Sequence, residues 1–232
     1  MISIPLYITP AHECSYLDEQ SAQSVYIHPS YTLTSDLYAQ LIEQGFRRSG
    51  DQVYRPHCSQ CSACIPVRLA VEAFKPNRRQ KRCLNKNSHL IVKIKSAVFE
   101  WSHYELYLRY QMSRHKGGEM ANISPEEYME FLGSSWCDTL FVEFFIDNDL
   151  VAVAVVDQFD NALSAVYTFF EPSFASLSLG VYAVLWQIEY AHKQQKEYLY
   201  LGYWIKACQK MSYKSDYQPL QVFSGQQWTD ER

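Results

Sequence analysis

The sequence predicts an α+β fold. Three observations carry that expectation. Three strand-length apolar runs follow one another with only turn residues between them, capped helical segments stand on both sides of them, and a Cys-rich turn near the N-terminus feeds a further strand. The chain has 232 residues, 47% of them hydrophobic, 15% aromatic and only 20% charged, which excludes a disordered chain, a coiled coil and a low-complexity polymer. Such a length buries one large core or two small ones. Eighteen Tyr residues are many for it, so some are expected on ligand-contacting surfaces.

The elements follow in order. Residues 1–30 read as irregular, with Pro5, Pro10 and Pro29. Residues 35–44 read as a helix capped by Thr34 or Ser35, with Leu37, Leu41 and Ile42 at helical spacing and Gly45 as its stop. Residues 46–54 read as a hairpin turning at Ser49-Gly50-Asp51. The Cys-rich turn then leads into a strand ending near Val71, and Pro76 marks a boundary before a basic segment. Residues 89–95 alternate towards Lys93 and Lys95 as a strand does.

Ser102 with Glu105 reads as a capping box for a helix through about His115, ended by Gly117-Gly118. Ser124-Pro125-Glu126-Glu127 is a stronger helix start, with Pro at the first position and Glu at the third. Runs 139–146, 150–157 and 163–170 are separated by Asp147-Asn148-Asp149 and Asp160-Asn161, which predicts an antiparallel meander. A helix over 181–195, a short buried strand over 198–203, a helix over 206–214 and a last strand near Trp228 complete the reading. This is the element order of an acetyltransferase-like (GNAT) α+β domain, in which the helix after the meander presents its N-terminus to a ligand. The expected division is a smaller Cys-rich region over 1–75 and a GNAT-like domain over 76–232, with the basic segment 75–95 at the junction. There is no internal repeat.

The longest purely apolar run, 150–156, falls far short of the ~20 residues of a membrane span. The N-terminus lacks a basic stretch and soon meets Pro5, so no signal peptide is expected and the protein reads as cytoplasmic, with no membrane partner. Seven Cys residues without an export signal are expected to stay reduced and to serve packing, metal or catalysis.

Charge is split unevenly. Residues 73–99 hold Lys75, Arg78, Arg79, Lys81, Arg82, Lys86, Lys93 and Lys95 and no acid. That window is +8, leaving −12 for the rest of a chain whose total is −4. A localised polyanion site on an acidic protein is expected, against the plainer reading of a solvated basic loop.

Four motifs carry possible chemistry. Cys58, Cys61 and Cys64 are three thiols at two-residue gaps, a spacing that lets a backbone loop wrap an ion. Cys14 is the expected fourth ligand, with Cys83 and His57 as rivals, and the soft donor set suits zinc or an iron–sulfur cluster of structural or regulatory use. Without metal, the same cysteines pack under a small domain. The second motif is Gly202-Tyr203-Trp204 followed by Lys206, Lys210 and Lys214, four apart on one helical face, where aromatics and cations suit a nucleotide. The third is Ser176 to Gly180, immediately before a helix, where backbone N–H groups favour an anion, with Ser178 and Gly180 as the candidate residues; read alone, the motif fits an ordinary helix cap better. The fourth is Asp157 at a strand end with Tyr167 on the next strand, a base or amine-orienting group, or merely a turn cap. No Ser/His/Asp order, HExxH or Walker loop is present.

These residues come in recognisable blocks: CSYL (14–17), GFRRSG (45–50), YRPHCSQCSACIPVR (54–68), RRQKR (78–82), LSAVYTFFEP (163–172), SLG (178–180) and YLGYWIKACQKMSYK (200–214). In order and spacing they resemble the bacterial aspartate/glutamate leucyltransferases, grouped with the arginyl-tRNA–protein transferases, from about Pro10 to Trp228. Eukaryotic relatives carry CxYC and a paired Cys-Cys-Pro, where this chain has CSYL and Ala63-Cys64-Ile65-Pro66. Cys14 and Cys64 correspond most directly, so Cys58 and Cys61 would complete a cluster.

The resemblance implies transfer of leucine from leucyl-tRNA to the N-terminal amine of proteins beginning with Asp or Glu, which marks them for N-degron proteolysis. An arginyl donor on the same acceptors, an acetyl-CoA-dependent acetyltransferase and a metal-stabilised nucleic-acid-binding module are the alternatives. The ester is already activated, so alignment of an uncharged amine supplies much of the acceleration and no cofactor is required for the chemistry. The basic segment with Lys206, Lys210 and Lys214 is expected to hold tRNA phosphates. Arg78, Arg79 and Arg82, then Arg68, are candidates for the acceptor carboxylate. Tyr167, Tyr203 and Trp204 are expected to line the aminoacyl-adenosine pocket, with Asp157 orienting the amine.

Overall fold

The structure is a computed structural model that describes residues 4–114 and 119–231. It is a mixed α+β fold built on two main sheets. Residues expected to be irregular form four short strands, β1 (Leu6–Ile8), β2 (His12–Glu13), β3 (Ser21–Ala22) and β4 (Ser24–Ile27). Strands of two to four residues are too short to show a period, so sequence alternation could not reveal them. Helix α1 (Ser35–Glu43) starts where expected: the Thr34 hydroxyl accepts from Leu37 N, and Gly45 follows at φ 79°. The hairpin β5 (Arg47–Ser49) and β6 (Gln52–Pro56) turns at Gly50, φ 58°. The small sheet has the order β1-β4-β6-β5.

Strand β7 (Ile65–Ala70) emerges from the Cys-rich turn. The basic segment then folds as helix α2 (Arg78–Lys86), opened by a reciprocal Asn77/Gln80 capping box. Strand β8 (Ile91–Ser96) lies at the far edge of the large sheet. Helix α3 (Trp101–Arg114) begins one residue before the expected Ser102 cap, because Glu100 O already accepts from His103 N and Tyr104 N. Its expected end at His115 to Gly118 lies outside the described residues. A 3-10 turn (Glu119–Asn122) precedes α4 (Pro125–Leu132), which has the full Ser124/Glu127 capping box.

Strands β9 (Thr139–Ile146), β10 (Asp149–Gln158) and β11 (Ala162–Phe170) form the expected meander. A 3-10 turn (Pro172–Leu177), helix α5 (Leu179–Lys193) and strand β12 (Tyr198–Trp204) follow. The expected helix over 206–214 is a 3-10 helix over Gln209–Asp216. The tail is a hairpin, β13 (Leu220–Ser224) and β14 (Gln227–Asp230).

The large sheet has the order β14-β13-β7-β12-β11-β10-β9-β8. Strand β10, in the middle of the meander, is buried on both faces. Ala152, Ala154 and Val156 pack towards α5, while Val153 and Val155 pack with Leu106, Tyr107, Tyr128 and Phe169 under α3 and α4. That explains a continuous apolar run in an antiparallel strand. Pairing in the large sheet runs across the expected boundary near residue 75. Strand β7 comes from the N-terminal region, yet it pairs with β12 on one side and β13 on the other. Among the described residues, no helix is long and apolar enough to cross a membrane.

Candidate functional site

β11 and β12 are parallel neighbours, and they pair only over Ala162–Ser164 and Tyr198–Tyr200. Beyond that they part. The register of β11 against β10 slips at Val166, and that of β12 against β7 slips at Leu201. Two bulges thus face a notch whose edges have left the hydrogen-bond ladder. The guanidinium of Arg47 fills it. Arg47 Nη2 donates to Ala165 O (3.1 Å) and Val166 O (3.0 Å). Gly202, at φ +76°, makes the room: a Cβ there would lie 1.7 Å from Arg47 Nη1.

Adjacent residues of a strand face opposite ways. Arg48 accordingly leaves the notch and meets Asp157, with Nε–Oδ2 2.8 Å and Nη2–Oδ1 2.7 Å, both side chains fully buried. Thr139 Oγ1 also donates to Asp157 Oδ1, at 2.8 Å. With both oxygens engaged and no solvent, Asp157 holds Arg48 in the core instead of orienting a substrate amine.

Phenols surround Arg47. Tyr16 and Tyr213 show half of their surface to solvent, yet both hydroxyls feel the Arg47 charge. Burial raises the pKa of each, and that of Tyr167, so all three remain O–H donors near neutrality. Tyr167 accepts from Gln111 Nε2 at 2.9 Å and feels Tyr110 and Tyr16. Tyr203 is packed below: its hydroxyl donates to Gly45 O (2.9 Å), so it supports the notch and does not line a pocket. Trp204 lies in the main core.

The three lysines expected on one face are divided, because a 3-10 turn does not repeat every four residues. Lys206 and Lys210 are exposed. Lys214 is buried, donates to Tyr203 O, and is pushed down to about 7 by burial and by the Arg47 charge.

The arginine candidates divide too. Arg68 is buried in an aromatic clamp, 3.6 Å over Tyr198 and 4.5 Å over Trp228, and its Nε donates to Gln221. It ties the sheet together and is not free for a substrate. Arg78, Arg79, Lys81 and Arg82 are exposed on α2. The other side of that helix is anchored through Gln80 to Asp216 O and Asn87 to Leu177 O, and the exposed Lys86 reaches Ser176 O. Ser178 caps α5 at φ 56° without a side-chain cap bond, and Gly180 leaves room for the Phe170 ring.

Cys14, Cys58, Cys61 and Cys64 are neighbours. Burial, with Cys58, Cys14 and Cys61 beside it, pushes the Cys64 thiol up to about 11. No three of these sulfurs lie within 4.8 Å of one another, so the thiols are near without forming a closed ligand shell, although four thiols are the soft donor set that zinc or an iron–sulfur cluster takes. Among the described residues, the one trio with ligand atoms within 4.8 Å of each other is Glu100, His103 and Glu143. There the Lys95 ammonium already bridges Glu100 and Glu143 (2.7 and 3.1 Å). A cavity of about 780 Å³ lies beside Phe131, which packs on Tyr167. Asp51, Glu126, Glu127 and Glu130 line it, a lining that opposes a polyanion or an acidic side chain.

Arg47 was visible in sequence only as one of two adjacent arginines in a predicted strand. Alternation says that they face apart; the notch that receives one of them forms from strands more than a hundred residues away.

Comparison with known proteins bears on this arrangement. Residues 12–82 match the profile of "Arginine-tRNA-protein transferase, N terminus", and residues 102–224 match its "C terminus". The chain is 50% identical to the aspartate/glutamate leucyltransferase of Saccharophagus degradans over 97% of its length and 96% of the relative's. It is 49% identical to that of Teredinibacter turnerae, over 99% and 95%. Among solved structures, the C-terminal domain of a putative lysylphosphatidylglycerol synthetase from Agrobacterium fabrum aligns with a TM-score of 0.48 at 10% identity, covering 75% of this chain and 54% of that one.

Proposed function

The chain belongs to the arginine-tRNA–protein transferase family, and on that premise we propose that it moves leucine from leucyl-tRNA to the N-terminal amine of proteins that begin with Asp or Glu. The observation that carries this reading is the identity of about half the residues, over nearly the full length of both chains, with relatives named aspartate/glutamate leucyltransferase. The product is a protein with N-terminal leucine, destined for N-degron proteolysis in the cytoplasm. An acyltransferase-like (GNAT) reading of the large sheet is supported by the meander, the helix after it and the parallel pair that parts.

The chemistry asks for alignment more than activation. The amine nitrogen forms a bond to the leucyl carbonyl carbon, the ester C–O bond breaks, and the ribose oxygen takes up a proton as the amine gives one up. Holding both partners in one place supplies much of the acceleration. The Tyr16, Tyr167 and Tyr213 hydroxyls are suited to donate to a developing oxyanion, because each keeps its proton near pH 7. The exposed cations of α2 are suited to tRNA phosphates, with Lys206 and Lys210 as further contacts. A zinc ion or iron–sulfur cluster would be held by Cys14, Cys58, Cys61 and Cys64, where it would crosslink the N-terminal segment to the turn before β7.

The test is a transfer assay with labelled leucyl-tRNA and arginyl-tRNA, offering peptides that begin with Asp, Glu, Lys or Ala. Leucine on Asp and Glu peptides alone is the expected outcome. Arginine on the same peptides would keep the family and change the donor, and no transfer from either would overturn the reading.

A further inference from the structure

We propose that Arg47 is the receptor for the acidic side chain of the acceptor, the group by which Asp or Glu at the N-terminus is told from a neutral residue. The proposal rests on the transfer reading above and deepens it.

Arg47 is a half-buried cation with no acid to balance it. Among the described residues, the arginine ion pairs are Arg48–Asp157 and Arg109–Glu171. Its neighbours are instead two backbone carbonyls and a ring of phenols. A guanidinium has five N–H donors. Nη2 is committed to Ala165 O and Val166 O, while Nε and Nη1 meet no acceptor among the described residues. Partial burial makes an unpaired charge costly, so a protein that keeps one there offers it to a ligand anion.

The ligand chemistry follows from the surroundings. The guanidinium is fixed by the carbonyls, and the Tyr16 and Tyr213 hydroxyls, which feel its charge, are further O–H donors near it. A single carboxylate on a short side chain suits one guanidinium held in fixed orientation with Nε and Nη1 left to donate. Phosphate diesters of a duplex suit the open face of α2 instead, where Arg78, Arg79, Lys81 and Arg82 stand in solvent. The α-amine of an N-terminal Asp or Glu is only a few bonds from its carboxylate. Anchoring that carboxylate at Arg47 therefore keeps the nucleophile at the notch, next to the strand segment Ala165–Val166. Reading a buried polar partner in this way discriminates strongly, since a neutral side chain leaves the cation unpaired.

The experiment uses the full chain and leucyl-tRNA, with peptides that begin with Asp, Glu, Asn or Gln. Steady-state KM is measured separately for peptide and for leucyl-tRNA, and peptide affinity by fluorescence anisotropy. Arg47→Lys is expected to raise KM and Kd for the Asp peptide by about 10- to 100-fold, the loss of a charged hydrogen bond. The leucyl-tRNA KM should move less than about twofold, and Asp should lose its advantage over Asn. Arg47 also braces the notch, so Tyr16→Phe is measured in parallel; it deletes one oxygen from an exposed side chain and leaves the brace intact. It should raise the Asp-peptide KM by about threefold, a share of one hydrogen bond.

A raised leucyl-tRNA KM with the peptide KM unchanged would assign Arg47 to the donor and overturn the proposal. Unchanged discrimination of Asp from Asn in both variants would make Arg47 a brace only and would overturn it as well. A wild-type protein that transfers no leucine to any peptide would overturn the transfer reading itself, and the proposal with it.

Discussion

Arg47 and Arg48 are adjacent in sequence and opposite in environment. Arg48 is wholly dehydrated, and its partner Asp157 lies 109 residues away. Removing one member of such a pair leaves a buried charge, which costs about 3–5 kcal/mol, whereas replacing both by apolar groups recovers much of the loss. Arg48→Met alone should therefore lower the urea midpoint far more than Arg48→Met with Asp157→Leu. Equal losses in the two would show that the carbonyl contacts to Leu132 and Gly133 dominate. Lys214 gives a pH-dependent case. Its folded pKa is depressed to about 7 from an ordinary 10.5, so above pH 7 the unfolded chain binds the extra proton. Stability from this group then rises with pH, by up to about 1.4 kcal/mol per unit, and is lowest at pH 7 and below. Between pH 7 and 9, then, wild type should gain on Lys214→Met in urea unfolding, and a constant difference would refute the buried, neutralised lysine. At this scale the sequence made the candidates legible and not their partners. Asp157 at a strand end reads alike whether it faces a ligand or a core arginine, because the deciding contact is remote in the chain.

Among the elements, those with a local signature were readable: the meander with its Asp/Asn turns, the Thr34 cap of α1 and the capping box of α4. Helix α2 was not, since it is almost wholly polar and buries only Gln80, so no apolar stripe announces it. Its one signal was Asn77 with Gln80 three residues on, a capping-box spacing. The 206–214 segment misled for the opposite reason. Its lysines repeat every four residues, yet burial of Lys214 against Tyr203 O draws the chain into a tighter 3-10 turn. The placement of α2 sets its role: one side is pinned to the start of α5, and the other presents cations to solvent. If that side holds tRNA phosphates, Arg79→Ala and Arg82→Ala should each weaken leucyl-tRNA binding. Each should also reduce the slope of log K against log salt by about 0.9 for every phosphate left without its cation. Peptide KM should stay put. An unchanged salt slope in the double variant would remove α2 from the tRNA interface.

For the whole molecule, the N-terminal region cannot be considered apart from the rest. Strand β7 sits between β12 and β13, while the small sheet delivers Arg47 into the large one. The notch is therefore assembled from both ends of the chain, and whatever steadies the N-terminal segment steadies the site. Cys14 precedes Tyr16 by two residues, and its thiol is near enough to that of Cys64, before β7, to raise its pKa. A metal or cluster on Cys14, Cys58, Cys61 and Cys64 would pin the segment carrying Tyr16 against the body that carries Arg47. Protein purified without oxygen should then hold one zinc ion or one cluster per chain by elemental analysis. Cys58→Ser with Cys61→Ser should lose it, with a cost of about 2 kcal/mol and hence a fall in Tm of about 4–8 °C. Because Tyr16 would be loosened, the same variant should raise the Asp-peptide KM and leave the salt slope for leucyl-tRNA as it was. A metal-free wild type whose Tm and peptide KM match those of the double variant would show that the thiols only pack, and the N-terminal segment would then owe its place to β1, β4 and the Tyr7–Tyr26–Tyr54 stack alone.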